Sequence, residues 1–139
     1  MEELTIEGPG AFAVDGIGEA HRQNAIEAAA AAGAADEAVL MLEDDNPYDD
    51  QAVRVLLGGR LCGYLSRADA RRYRAALAAA GAPRAQVRCR AKLTGGFATG
   101  GGGRAHYGLK LDLPGWETNY ILAVRRDHRQ ERNLPLAAG

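Results

Sequence analysis

The residues best suited to binding chemistry lie close together in one short stretch. They are an amide, a phenol and a carboxylate: Asn46, Tyr48 and Asp49. The Asn-Pro pair at 46–47 favours turn initiation, because proline fixes its own φ and biases the preceding residue toward extended backbone. Alternating apolar residues at 53–57 then predict a strand with Val53, Val55 and Leu57 on one face. A rigid turn at the mouth of a sheet either reads a ligand or merely ties down the chain.

No catalytic constellation accompanies this turn. Its acids crowd one loop at residues 43–50 instead of facing each other across a cleft, and no nucleophile lies beside a base. The cysteines and histidines show no metal-ligand spacing, so Cys62 and Cys89 are expected as free, buried thiols. The glycine-rich stretch at 95–103 lacks the ending of a phosphate-binding loop. We therefore expect a binding module, not an enzyme, with no catalytic residue, metal or cofactor.

The charge is distributed unevenly along the chain. Residues 1–50 hold 13 acids against one base, a net charge of −12, whereas residues 51–139 hold 16 bases against 5 acids, a net charge of +11. Two readings follow: the second part attracts nucleic acid, or the two parts neutralise each other across the fold.

At 139 residues the chain is expected to form one domain with a proper core. No apolar run approaches the ~20 residues that a membrane span needs. The acidic start lacks the basic flank and apolar core of a signal peptide. The sequence therefore predicts a cytoplasmic protein without a membrane partner.

Periodicity predicts six strands and two helices. The strands are expected at residues 11–17, 38–42, 53–57, 60–65, 86–93 and 106–113, with 53–57 and 60–65 forming a hairpin around Gly58-Gly59. The first helix should run from an Asn24 N-cap to residue 32, with Gly33 stopping it. Ser66 should cap the second helix, with core-facing residues Ala70, Tyr73, Leu77 and Ala80. Residues 116–124 fit a strand or a helix equally.

The second helix also carries an arginine face. Arg67, Arg71 and Arg74 share one side of it, with Arg72 alongside. Guanidinium groups in this arrangement could grip phosphates, or they could be solvated or paired with nearby acids.

A series of motifs in order resembles the HIRAN family. It comprises Asn46-Pro47-Tyr48-Asp49, then Ala52-Val53 in a strand, a Gly58-Gly59 turn, and Gly63-Tyr64-Leu65 leading into a helix. HIRAN domains are small OB-like modules of fork-remodelling helicases that also occur alone or fused to other domains in bacteria. The resemblance implies a β-rich α+β fold, a small antiparallel OB-like barrel with two packed helices. It spans 11–113, leaving 1–10 as a mostly disordered leader and 114–139 as a C-terminal extension with a basic tail.

The resemblance also implies a nucleic-acid site. In helicase HIRAN domains a pocket reads a free 3′-hydroxyl of single-stranded DNA. By position, Tyr48 would stack on the terminal base and Asp49 would accept a hydrogen bond from the hydroxyl. Asn46 would bond the base or brace the loop, while Tyr64 and Arg67 would line the backbone path.

Further candidates complete this site. His21 and Arg22 lie in a segment similar to the first HIRAN turn, where an aromatic residue is usual at the position of Arg22. Arg71 extends the arginine face. Phe97 follows Gly95-Gly96, a unit that resembles a late HIRAN feature, and would stack on a base or fold over the core.

The expected function is recognition of single-stranded DNA, at a free 3′ end, in DNA repair or replication-fork processing. The alternative is a protein-interaction module that docks a nuclease or helicase partner, with the turn serving only as structure.

Overall fold

The computed structural model describes residues 3–96, 101, 103, 105–114 and, as a strand only, 124–126. The described residues form eight strands, two α-helices and a short 3-10 helix at Glu19–His21. The strands are β1 Glu3–Ile6, β2 Val14–Ile17, β3 Glu37–Glu43, β4 Ala52–Leu57, β5 Arg60–Leu65, β6 Gln86–Thr94, β7 Gly108–Leu111 and β8 Val124–Arg126. The helices are α1 Gln23–Ala31 and α2 Arg67–Ala79.

Six of the strands close into an antiparallel barrel. Hydrogen bonding runs in the order β3-β4-β5-β2-β7-β6, and a further pairing of β3 with β6 closes the ring. β1 adds to β6 in parallel, and β8 pairs with β1 in antiparallel fashion. The expected OB-like barrel with two helices is confirmed.

Strand alternation fills the barrel interior as the sequence predicted. Val53, Val55 and Leu57 are fully buried, and the inward positions of β6 and β7 are buried except Leu93, which is half-buried. Both cysteines are free and buried, and burial raises the pKa of the Cys89 thiol to about 12. The interior is therefore an aliphatic core with inert thiols.

The predicted hairpin and second helix are also confirmed. Gly58 and Gly59 both have positive φ, of 56° and 78°, which suits a two-residue turn between β4 and β5. The Ser66 hydroxyl accepts a 3.1 Å hydrogen bond from the backbone N–H of Asp69, so it caps α2. The inward face of α2 buries Ala70, Tyr73 and Leu77, while Ala80 is half-buried. Neither helix of the described chain is long and apolar enough to cross a membrane.

The N-terminal leader was expected to be mostly disordered, and this expectation is wrong. Leu4 and Ile6 of β1 are each 1% exposed, because alternate positions of this strand face the core. The strand exists through its parallel pairing with β6, in which Thr5 lies opposite Arg88. A four-residue pattern gives no local sign of so distant a partner.

Several element boundaries differ from the sequence prediction. Asn24 is not an N-cap: α1 begins one residue earlier, at Gln23, and Arg22 precedes it without a side-chain cap. The side chain of Gln23 instead exchanges hydrogen bonds with the backbone of Tyr107, at 2.7 and 3.1 Å, tying α1 to the chain before β7. β2 starts only at Val14, because the preceding residues leave the extended region, and β7 is shorter than predicted. Residues 116–123 and the tail from 127 lie outside the described residues.

Tyr73 offers a test of the core. Its ring is buried under α2, and its hydroxyl has no hydrogen-bond partner among the described residues. Tyr73→Phe should leave the free energy of unfolding unchanged or raise it, because an unsatisfied buried polar group costs about 1–3 kcal/mol. Denaturant unfolding would measure this, with Leu77→Ala, expected to lose about 2–5 kcal/mol, as the reference. A loss of more than about 1 kcal/mol in Tyr73→Phe would show that the hydroxyl is bonded.

Candidate functional site

The candidate site is built on the acidic turn, residues 43–51, which joins β3 to β4. The side chain of Asn46 braces it from both ends. Its Oδ1 accepts hydrogen bonds from the backbone N–H groups of Tyr48 and Asp49, at 2.8 and 3.1 Å. Its Nδ2 donates to Glu43 at 2.7 Å. Of the two roles predicted for Asn46, the structure shows the bracing one.

Tyr48 projects from this braced turn into solvent. It is 90% exposed, by far the larger exposure of the two big apolar or aromatic residues that stand out on the described surface. The backbone N–H of Tyr48 donates a hydrogen bond to Asn46, whereas its phenol ring makes no hydrogen bond to the turn among the described residues. The turn therefore holds the backbone of Tyr48, and the ring is left exposed.

Tyr64 lies behind the turn and is connected to it through Glu43. The phenol donates a hydrogen bond to the Glu43 carboxylate, 3.1 and 3.2 Å from its two oxygens. Burial, followed by this bond, raises the pKa of Tyr64. The Arg22 guanidinium sits 6.0 Å from the centre of the Tyr64 ring, at the outer limit of a cation–π contact. Glu43 therefore joins Asn46, Tyr64 and the turn into one network.

Asp49 fastens the turn to α2. Arg71 donates two hydrogen bonds to its carboxylate, of 3.1 and 3.0 Å, and the backbone N–H of Gln51 donates a third. The Nε of Arg67 lies 3.6 Å away. The Arg71 bond, then the Gln51 bond, lower the pKa of Asp49 to about 2. This carboxylate stays ionised at any physiological pH.

Arg74 forms a second fastening between α2 and the acidic turn. Its guanidinium donates to the backbone carbonyls of Gln51 and Ala52, at 2.8 and 2.9 Å, and pairs with Asp44 at 2.9 Å. Arg84 also pairs with Asp44, and both bonds lower the pKa of that carboxyl. The arginine face is thus paired with nearby acids, one of the alternatives left open by the sequence.

Pairing between the acidic and basic parts of the chain extends beyond the turn. Arg54 lies 3.9 Å from Glu43, Arg88 contacts both Glu3 and Glu37, and Lys110 pairs with Asp15. The two oppositely charged parts therefore neutralise each other across the barrel to a large extent. On the arginine face, the side chains of Arg67 and Arg72 remain mainly in solvent, with 73% and 57% of their surface exposed.

His21 and Arg22 lie in a shallow groove of about 380 Å³ at the start of α1, lined by residues 20–25. Arg22 is half-buried beside Tyr64, whereas His21 is exposed. The structure thus links Arg22, Asn46, Tyr48, Asp49, Tyr64, Arg67 and Arg71 through direct contacts. His21 only adjoins them, and Phe97 lies outside the described residues.

Sequence reasoning missed two residues of this network. One is Glu43, and the other is Arg74, whose guanidinium holds two backbone carbonyls. Glu43 stands three residues before Asn46, a spacing that suits a side-chain bond across a tight turn. The role of Arg74 had no signal, because its carbonyl partners lie on β4 and the chain preceding it.

No family model, no curated protein and no solved structure matches this chain. The resemblance to HIRAN domains therefore rests on the motifs alone. Among the residues that the structure describes, no group of three or more His, Cys, Asp or Glu side chains could hold a metal ion.

The Asp49–Arg71 pair predicts a specific pH dependence. The pKa of Asp49 falls from 3.8 to about 2 on folding, so its stabilising effect is present above about pH 4 and disappears as the pH falls through 2. Melting temperatures of wild type and Asp49→Asn should therefore differ most above pH 4 and converge toward pH 2.

Asp50→Asn is the matched control, because it removes the same charge from the same turn and leaves the Arg71 contact in place. A difference between wild type and Asp49→Asn that is equally large at pH 7 and pH 2 would contradict the ion pair as its source.

Proposed function

We propose that this protein is a binding module for single-stranded DNA that takes a free 3′ end at the acidic turn. The observation that carries the proposal is Tyr48, an aromatic ring that is 90% exposed on a turn braced by other side chains. An exposed ring on a braced turn suits base stacking, which contributes about 1–3 kcal/mol per base. The barrel is of the OB-like type on which single strands are commonly bound.

Asp49 supports selection of a hydroxyl end. One of its oxygens, Oδ2, accepts a single Arg71 hydrogen bond, and a carboxylate oxygen has room for a second donor. The Asp49 side chain is 12% exposed, so part of the carboxylate remains accessible from solvent. The permanently ionised carboxylate attracts a hydroxyl donor and repels a terminal phosphate.

Arg67 would supply the charge for the strand that leads to this end. It is exposed and lies next to Asp49, where it could meet the phosphate that precedes the terminal nucleotide. Tyr64 and Arg22, stacked near the turn, would extend the path. The resemblance to HIRAN domains points the same way and suggests a role in DNA repair or fork processing.

Internal charge pairing favours a second candidate, a protein-interaction module that docks a helicase or nuclease. Arg71 and Arg74 donate their hydrogen bonds to Asp49, Asp44 and backbone carbonyls, which leaves fewer cations to contact phosphates. On this reading the acidic turn is structural, and Tyr48 inserts into a protein partner.

Fluorescence anisotropy with three short single-stranded DNAs separates these functions. The DNAs carry a free 3′-hydroxyl, a 3′-phosphate, or a 3′ end blocked in a hairpin. The wild type should prefer the hydroxyl end, and Tyr48→Ala should weaken that binding about 5- to 100-fold.

Tyr48→Phe is the matched control: it keeps the ring and should bind like wild type. The melting temperature of Tyr48→Ala should stay unchanged. Equal binding of all three DNAs would refute end recognition, and a marked loss of stability in Tyr48→Ala would assign the ring a structural role.

A further inference from the structure

Phe12 has a backbone conformation that a bulky residue rarely adopts. Its φ is +48°, and it is the non-glycine residue with positive φ in the described chain. Such outliers persist only where surrounding contacts hold them, and they cluster at binding sites.

A buried carboxylate holds the segment that carries Phe12. Asp112 is fully buried, and its Oδ1 accepts a 2.8 Å hydrogen bond from the backbone N–H of Gly10. Its Oδ2 has no hydrogen-bond partner among the described residues, and the Arg90 guanidinium lies 4.0 Å from it. The chain just before β2 is therefore fixed against the end of β7, and Phe12 is placed on the outside of the barrel.

Two cations flank the Phe12 ring there. The Arg90 guanidinium lies 5.3 Å and the Lys92 ammonium 5.9 Å from the ring centre, both within cation–π range. Both cations are on the outward face of β6 and exposed to solvent, and the ring itself is half-buried. We call Phe12, Arg90 and Lys92 the Phe12 patch.

The outer surface of the barrel connects this patch with the acidic turn. Tyr64 of β5 lies opposite Ile17 of β2, while on the neighbouring strands Lys110 lies opposite both Asp15 and Lys92. From β5 to β6 this path crosses three strand spacings, or about 14 Å. Ile17 lies on it with 42% exposure, an apolar surface for a base to pack on.

We propose that the Phe12 patch is a second contact for single-stranded nucleic acid, which crosses the barrel from the acidic turn. A base stacks on Phe12, and Arg90 and Lys92 contact the flanking phosphates. This inference rests on the proposed function, because it extends the path of the same DNA strand away from its 3′ end. An aromatic ring next to two exposed cations is the combination with which single-strand binders track bases and backbone together.

The test compares two DNA lengths with a free 3′-hydroxyl: a trinucleotide that reaches only the acidic turn, and a 12-mer within the usual site size of one OB fold, about 4–16 nucleotides. Phe12→Leu keeps an apolar side chain but removes the π face, and Lys92→Gln removes one charge. Arg60→Gln, at the first residue of β5, removes a charge elsewhere and is the matched control. Melting temperatures verify that each variant is folded.

Phe12→Leu should weaken 12-mer binding about 5- to 100-fold and leave the trinucleotide unaffected. Lys92→Gln should reduce the slope of log K against log salt by about 0.7, again only for the 12-mer. Arg60→Gln should change neither.

The outcomes separate this inference from the proposed function. Loss of 12-mer binding in the patch variants supports the patch even if the 3′ end makes no difference, which would refute only end recognition. Hydroxyl-selective binding that the patch variants leave intact refutes the patch alone. Equal competition by an oligoglutamate peptide would show a docking surface for acidic protein instead, and absence of DNA binding by wild type would overturn both.

Discussion

The bidentate ion pair between Asp49 and Arg71 is the constraint on which the candidate site depends. It joins a turn between two barrel strands to a helix that packs on them, and it fixes both partners in their charged forms. Arg74 repeats the connection through backbone carbonyls. These contacts and those of Asn46 hold the turn, and none of them involves the ring of Tyr48. Polar groups thus hold the turn, and in the proposed function the exposed ring of Tyr48 is left to contact the ligand.

Local signals predicted much of the barrel. The Gly58-Gly59 hairpin, the Ser66 cap and the inward face of α2 all depend on residues close in sequence, and all are present. The turn at Asn46-Pro47 was predicted for the same reason. Most of the candidate site residues named from the sequence lie in one contact network. Sequence reasoning could not assign Asp49 to Arg71, because opposite charges on separate elements allow many pairings.

The features that sequence reasoning missed depend on distant partners. β1 is a strand because β6 lies beside it, and Phe12 is strained because Asp112 holds Gly10. Neither partner is visible in a local pattern. The strand β6 was predicted from alternation, but the association of its outward face with an aromatic ring follows only from the three-dimensional path of residues 8–12. Contacts between segments distant in sequence, rather than local secondary-structure propensity, determine these features.

The position of β6 in the ring has a consequence for how the chain is made. This strand pairs with β1 at residues 86–88, with β3 at 87–90 and with β7 at 91–94. A nascent polypeptide emerging from the ribosome therefore carries β1 and one edge of β3 unpaired until β6 has been synthesised. Topologies with such long sequence separations fold slowly and expose unpaired strands meanwhile. The acidic first part of the chain gives the waiting segment a net negative charge, which opposes its association with other copies.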